Sequence, residues 1–367
     1  MKIALLGDIA LYGRFDVEKN PHLDNYFADV ERMLAGMDHV IGNLETPFVD
    51  KQKKHGAKSA HIFCSLPNIK VLKMLHISAV GLANNHAYDY GRESLELTCK
   101  HLQDNNIPFF GIKGKQLLLQ DASTKIAVSG FCCYSTNPMG MGKDGVNILN
   151  VEEVERQMKE NQDKGFFNIV SIHTGQEHVN YPSYHAMLFA RNWAKRFDYV
   201  YYGHHPHVVQ GVEKCNNSQI FYSLGNFCFD DVYTSKSKQP LVKLSDNNKT
   251  GMIVILEYEG NAVKNYETIP FYMGKDKMEI RKDLVPQFES YSSALSMSKS
   301  EYVSMRRKML NAYIQQRKEM RNLSWYLKRL NLNSFRMIRN AKNNAKAYQA
   351  NVRKYVKRLA CQEDVSY

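Results

Sequence analysis

Asp198-Tyr199-Val200-Tyr201-Tyr202-Gly203-His204-His205-Pro206-His207 carries a buried-strand pattern straight into a turn with three histidines in five residues. Imidazoles placed where a strand ends lie at the carboxyl edge of a sheet, which is where open α/β sheets build their sites. His205 and His207 are two apart, so an extended turn points both at one centre. Imidazole suits zinc, iron, nickel or manganese-type ions, particularly where carboxylates complete the shell. A polar loop whose histidines merely hydrogen-bond is the alternative.

Other strand ends supply the missing partners. Asp8 follows Leu5-Leu6-Gly7, and Glu45 follows Val40-Ile41-Gly42-Asn43-Leu44. Asn84-Asn85-His86 follows Ala79-Val80-Gly81-Leu82-Ala83, and His173 follows Ile169-Val170-Ser171-Ile172. Five strand ends that each deliver Asp, Glu, Asn or His would converge on one edge. Oxygen donors mixed with imidazole form the donor set of a hydrolytic metal centre, where the ion polarises an ester oxygen and acidifies water. A carboxylate such as Glu45 could bridge two ions roughly 3.5–4 Å apart.

The surrounding pattern predicts an α/β domain. Strand-like runs at 3–7, 39–42, 79–83, 108–111, 126–131, 168–173, 199–203, 220–224 and 252–258 alternate with helix patterns near 22–36, 66–75, 92–105, 151–163 and 183–196. From 220 to 258 no helix intervenes, which implies an added antiparallel portion. Residues 234–250 read as a polar loop. Beyond about 285 the chain turns to long helices. There Ile338, Ala341, Ala345, Tyr348, Val352, Tyr355 and Leu359 recur at spacings of three and four, an amphipathic stripe or short coiled-coil seam.

Charge divides the chain at the same place. Residues 1–280 hold 30 Lys+Arg against 31 Asp+Glu, whereas residues 301–367 hold 16 against 4. The expected organisation is a near-neutral globular domain over 1–280 and a basic helical extension over 281–367. Seven cysteines form no Cys-x-x-Cys pair, and vicinal Cys132-Cys133 sits in an apolar run, as a reduced core pair would. No apolar run approaches the roughly 18 residues needed to span a bilayer, and a strand pattern begins at Lys2. The expected location is cytoplasmic, or peripheral at the membrane's inner face.

The motifs taken together resemble a known family. Gly7-Asp8, Gly42-Asn43-Leu44-Glu45-Thr46, Ala83-Asn84-Asn85-His86-Ala87-Tyr88-Asp89-Tyr90-Gly91, His173-x-Gly175-x-Glu177, Gly203-His204-His205-Pro206-His207 through Gly211, and Tyr222-Ser223-Leu224-Gly225-Asn226-Phe227 are similar, in order, to the CapA family. These capsule or poly-γ-glutamate synthesis proteins form a branch of the calcineurin-like metallophosphoesterases. The likeness spans residue 2 to about 275 and leaves the basic tail uncovered.

The resemblance implies a four-layer α/β/β/α sandwich and a centre of two divalent metal ions. It implies Asp8 and His207 on one ion, Asn85, His173 and His205 on the other, and Glu45 bridging. His86 would be the general acid or transition-state donor, and His204 at most an outer support. Two departures from the wider superfamily stand out. Ala10 replaces the histidine of an Asp-x-His motif, and Glu45 stands where an Asp is usual. CapA-like proteins share both.

Glu177 reads either as a substrate or imidazole contact or as a surface carboxylate. Asp89 either orients His86 or caps the helix starting at Gly91. Gly225-Asn226 either presents Asn226 to an anion or ends a strand with Phe227 and Phe229 in the core. Lys51, Lys53, Lys54 and Lys58 read as a solvated loop, with attraction of an anionic substrate as the alternative. Basic pairs in the tail, Arg306-Arg307-Lys308, Arg317-Lys318, Lys328-Arg329, Arg353-Lys354 and Lys357-Arg358, are interleaved with Tyr302, Tyr313, Trp325, Tyr326, Tyr348 and Tyr355. They suit an inner-membrane surface or a partner helix, and nucleic acid is the least supported partner because no reading module accompanies them.

The expected function is a metal-dependent hydrolase of the phosphoesterase type in capsule, exopolysaccharide or poly-γ-glutamate biosynthesis. Its substrate would be an anionic polymer or a phosphoester. A metal-stabilised scaffold subunit of a polymer synthase, without turnover, is the competing expectation.

Overall fold

A computed structural model describes residues 1–50, 54–56, 58, 60–141, 145–234, 237–319 and 331–362. The elements begin with β1 (Lys2–Ile9), α1 (Leu23–Leu34), β2 (His39–Leu44), α2 (Ile69–Met74), β3 (Ala79–Gly81), α3 (Gly91–Asp104) and β4 (Phe109–Phe110). They continue with β5 (Leu117–Gln120), β6 (Lys125–Cys132), α4 (Val151–Asp163), β7 (Phe167–His173), α5 (Tyr184–Ala194), β8 (Tyr199–His204), β9 (Val212–Cys215) and β10 (Ser218–Phe221). Next come β11 (Asn226–Cys228), β12 (Val232–Thr234), β13 (Ser237–Val242), α6 (Asp246–Lys249), β14 (Thr250–Glu259), β15 (Ala262–Met273) and β16 (Met278–Ile280). Among the described residues the last helices are α7 (Val285–Ser293), α8 (Lys299–Glu319) and α9 (Leu332–Gln362).

Side-chain alternation sorts the strands into layers. In β1, Ile3 and Leu5 enter one core while Ala4 and Leu6 enter another. A strand buried on both faces must be apolar throughout, and central parallel strands are. One sheet runs β16-β15-β14-β1-β2-β3-β4, with β11 paired to the end of β1, and the other runs β5-β6-β7-β8-β10-β9. Ile3, Leu5, Ile41 and Val254 of the first sheet face Val128, Ile169, Val200, Tyr202 and Phe221 of the second. The Tyr202 hydroxyl donates to Leu6 O and to Ile41 O, clipping the sheets together.

Helices cover the outer faces. Phe27, Val30 and Leu34 of α1, Leu72 of α2 and Leu95 of α3 pack on the first sheet. Val154 and Met158 of α4 and Met187, Ala190 and Trp193 of α5 pack on the second. The architecture is therefore a four-layer α/β/β/α sandwich. Each helix buries an apolar stripe that neither water nor its own backbone could satisfy.

The antiparallel portion expected after residue 220 is mainly the long β14–β15 pair, turned at Gly260 with φ +58°. Residues 234–250 are more ordered than a loop. β12 pairs with β13, and the Ser245 side chain caps α6 through a reciprocal bond with Asn248. Polar segments gain order here by backbone pairing and capping, which leave no apolar periodicity to read.

The C-terminal helices join the second sheet's core. Tyr302, Val352, Tyr355 and Leu359 are buried with Trp193 and Tyr201. Tyr355 stacks edge-on to Phe189, and its hydroxyl accepts from Asn192 Nδ2 at 2.7 Å. Lys354 and Arg358 reach Glu152 and Glu155 of α4 at 2.7 and 2.6 Å. The second half of the predicted stripe thus covers this chain's own sheet, each large side chain contributing about 1.5–3 kcal/mol. Ile338, at its start, faces water. Trp325, Tyr326, Lys328 and Arg329, like the Arg317 side chain, lie outside the described residues. Among the described residues no helix is long and apolar enough to cross a membrane, and the six described cysteines are free thiols.

Candidate metal centre

The carboxyl ends of β1, β2, β3, β7 and β8 meet at one edge of the sandwich because β1–β2–β3 and β7–β8 pair in parallel. Close backbone packing puts Asp8 there. A Cβ on Gly7 would lie 2.1 Å from the Gly225 carbonyl oxygen, which itself accepts from Asp8 N at 2.9 Å. Gly225 holds φ +72°, a conformation natural to glycine. Register then sets Asp8 opposite Asn43 on one side and Asn226 on the other.

Asn84 pins the next loop. Its amide donates to Leu44 O at 2.8 Å, and its Oδ1 accepts from the backbones of His86 and Ala87 at 3.0 and 2.8 Å. Asn85 and His86 are thereby held against β2. Across the sandwich, His205 and His207 adopt φ values of +94° and +55°. Such backbone is strained by about 1–3 kcal/mol for a non-glycine residue and concentrates at functional sites.

The ligand atoms of Asp8, Glu45 and His207 lie within 4.8 Å of one another, and all three residues are buried. His207 Nδ1 is 3.4 Å from Asp8 Oδ2 and 2.9 Å from Asn226 Oδ1. A second set adjoins it: His173 Nε2 meets Asn85 Oδ1 at 2.8 Å and His205 Nδ1 at 3.1 Å. Glu45 stands between the sets, its Oε1 3.6 Å from His173 Nδ1. Its Oε2 is buried without a hydrogen-bond partner.

Electrostatics match a centre built for cations. Burial, reinforced by the charge of Asp8, pushes the Glu45 carboxyl well above the ordinary range despite Lys58. Burial drives His173 well down, helped by the neighbouring imidazoles, and takes His205 down to about 3 against the pull of Glu177. Both imidazoles are therefore neutral with lone pairs to give. An unpartnered buried carboxylate oxygen beside neutral imidazoles is costly alone and is satisfied by a divalent ion. The donor set fits.

His86 lies beside this centre in a small ion-paired cluster. Its Nδ1 is 2.7 Å from Asp89 Oδ2, and Lys58 Nζ donates to Asp89 Oδ1 at 2.7 Å and to Asn85 O at 2.6 Å. Burial alone would raise the Asp89 carboxyl, but Lys58 and His86 more than reverse it, to about 2. Burial also lowers His86, with Lys58 adding to the effect. Asp89 does not cap the following helix: Tyr90 occupies the N-cap of α3, with no side-chain bond. The Asp89 carboxylate is instead committed to His86, Lys58 and the Ile62 backbone N–H.

The structure brings together Asp8, Glu45, Asn85, His173, His205 and His207, with His86 and Asp89 beside them. Glu177 sits half-buried on the loop after β7, 4.0 Å from His178 Nε2, and its charge reaches His205 and Glu45. His204 Nδ1 lies 2.9 Å from Asp8 Oδ1. Lys58 departs from the solvated-loop reading, since its side chain is only 10% exposed. Lys51 and Lys53 lie outside the described residues. Asn43, which donates to Asp8 Oδ1 at 2.9 Å and to Glu45 Oε1 at 3.3 Å, was not singled out. Its signal was its place between ligands, opposite Asp8. At the Gly225-Asn226 turn Phe227 and Phe229 enter the core, as the second reading has it, and Asn226 Oδ1 lies 2.9 Å from His207 Nδ1.

Comparison with known proteins gives a consistent picture. The chain is 30% identical over 295 residues to the PGA biosynthesis protein CapA of Bacillus subtilis (strain 168), covering 76% of this chain and 75% of the relative. It is 27% identical over 274 residues to the capsule biosynthesis protein CapA of Bacillus anthracis, covering 70% and 66%. Among solved structures, a 5'-nucleotidase from Candida albicans SC5314 superposes with a TM-score of 0.41 at 12% identity, over 84% of this chain and 58% of that one. The Thermus thermophilus sulfate thiohydrolase SoxB gives 0.39 at 11% identity, over 72% and 44%. The model of the bacterial capsule synthesis protein family PGA_cap matches residues 2–231, a span that holds every ligand candidate described above. The chain belongs to this capsule synthesis family.

Proposed function

We propose that this protein is a metal-dependent hydrolase acting on a phosphoester, or a related ester or amide, during production of capsule or poly-γ-glutamate. The observation that carries the reading is the buried Asp8–Glu45–His207 cluster, with Glu45 Oε2 left unpartnered. Asp8 and His207 would hold one divalent ion and Asn85, His173 and His205 a second, with Glu45 between them. Such ions supply Lewis-acid polarisation of the scissile group and acidification of water.

The chain's own residues supply the rest. Ionised Asp89 accepts from His86 Nδ1–H at 2.7 Å, which supports a reading in which Nε2 is the nitrogen that takes up and returns a proton. Ionised Asp89 supports the imidazolium that results. A cavity of about 450 Å³ is lined by Arg14, Lys249, Tyr272, Met273 and Lys275, of which Arg14 and Lys249 are paired with Asp230 and Asp246.

The test is elemental analysis of the purified protein beside an Asp8→Ala/His205→Ala variant, with both assayed on a phosphodiester and a phosphomonoester under added manganese. Near-stoichiometric metal, lost in the variant together with turnover, supports the hydrolase. Metal bound without turnover on any tested ester favours a metal-stabilised scaffold subunit, which Ala10 in place of a histidine ligand would suit. Metal-free, inert wild-type protein overturns the reading.

A further inference from the structure

The helix α9 changes character along its length. Toward its C-terminal end Asn344, Val352, Tyr355 and Leu359 are buried against the body. Ahead of Asn344 three large apolar side chains face water instead, Leu332, Phe335 and Ile338 at 76%, 62% and 54% exposed, while Met337 is partly buried. Leu332 and Phe335 are the most exposed large apolar side chains among the described residues. At about 100° per residue the three span roughly a third of the helix circumference, Leu332 and Phe335 turned away from Tyr355 and Ile338 nearly in line with Val352.

Cations share that side. Arg336, Arg339, Lys342 and Lys346 are exposed, and none has an ion-pair partner among the described residues. Lys354 and Arg358, by contrast, are paired with carboxylates of α4. Between Leu332 and Gln362 the helix contains no Asp or Glu. Where α9 touches the body Lys354 and Arg358 are matched while Arg353 and Lys357 stay exposed, and from Arg336 to Lys346 no cation is matched among the described residues.

We propose that the N-terminal half of α9, Leu332 to Lys346, docks on an anionic lipid surface. Leu332, Phe335 and Ile338 would enter the boundary between headgroups and acyl chains while the four cations, interleaved with them on the same side, reach up along their alkyl stems to anionic headgroups. Nucleic acid would satisfy the cations but leave Leu332 and Ile338 in water. The proposal is independent of the metal centre and of any turnover there.

The experiment is co-sedimentation of the full chain with phosphatidylcholine vesicles prepared with and without phosphatidylglycerol, at low and high salt. Binding is expected only with phosphatidylglycerol and should fall with salt. Each cation near such a surface is worth about 1 kcal/mol, so Arg336→Glu/Arg339→Glu should weaken partition by at least about 30-fold. Leu332→Ser/Phe335→Ser/Ile338→Ser should also release the protein. All five positions are solvent-facing, and matching thermal melts would show that the variants remain folded. No sedimentation with phosphatidylglycerol at low salt overturns the proposal. So does binding that neither variant weakens, or a self-association that the apolar variant abolishes while lipid binding is absent.

Discussion

Lys58→Met should be the most damaging single change in the loop between the second and third strands. The ammonium lies 2.7 Å from Asp89 Oδ1, 2.6 Å from Asn85 O and 3.2 Å from His86 Nδ1. The Asp89 side chain is fully buried. Methionine keeps most of the volume but leaves a buried carboxylate with only His86 and the Ile62 N–H. Removing one partner of a buried ion pair costs about 3–5 kcal/mol. A second route gives a similar figure. Asp89 is lowered from 3.8 to about 2 against the opposing effect of burial, with Lys58 the largest favourable influence. That shift corresponds to about 2.5 kcal/mol.

Expected, then, is a loss of about 3 kcal/mol at neutral pH, read as a lower urea midpoint of the whole chain. The sign with pH follows from the depressed carboxyl. Its contribution is complete above the unfolded pKa near 4 and disappears as pH falls toward 2, so the gap between wild type and variant closes over that interval. A double-mutant cycle with Asp89→Asn isolates the pair, because neutralising the partner should recover most of the loss. A Lys58→Met loss below about 0.5 kcal/mol, or one unchanged in the Asp89→Asn background, would refute the assignment.

Other perturbations test the rest of the architecture. Zinc or manganese at about a hundred times its dissociation constant should stabilise the wild type by about 2.7 kcal/mol. Glu45→Gln should abolish that shift while relieving the buried repulsion with Asp8, and a metal-induced shift that survives would remove Glu45 from the ligand set. Gly7→Ala places a Cβ 2.1 Å from the Gly225 carbonyl oxygen. It should cost about 3 kcal/mol in chemical denaturation, and near-neutral behaviour would mean that β1 and β11 are not packed as described. Tyr355→Ala removes a buried ring stacked on Phe189 and should cost about 3–5 kcal/mol with one cooperative transition by near- and far-UV circular dichroism. A loss below about 1 kcal/mol would show that α9 rests on the body without belonging to its core.

Much of the fold and of the candidate donor set was legible in the chain itself. Runs such as Ile3–Leu6 and Tyr199–Tyr202 announce strands buried on both faces, because only apolar side chains can occupy two cores at once. An Asp, Glu, Asn or His directly after such a run is placed at a strand's end by covalent connection alone, so Asp8, Glu45, Asn85, His173, His205 and His207 could be named from sequence. Strands built on backbone pairing left no such trace. β13 opens on the polar run Ser237-Lys238-Gln239, and most of β15 is polar and exposed on at least one face, so no apolar alternation marks them.

Pairings across the chain were decided only by the tertiary structure. Lys58 reads as one more loop lysine until folding brings it against Asp89, thirty-one residues away. Asn43 is an ordinary strand residue until register sets it opposite Asp8. The stripe on α9 shows an apolar face but not its occupant. The sandwich supplies that occupant beneath Val352, Tyr355 and Leu359, and leaves Leu332, Phe335 and Ile338 in water. Local pattern fixes which way a side chain faces along its own element. Its partner depends on which distant element the layered packing brings alongside, and that is a property of the assembled core.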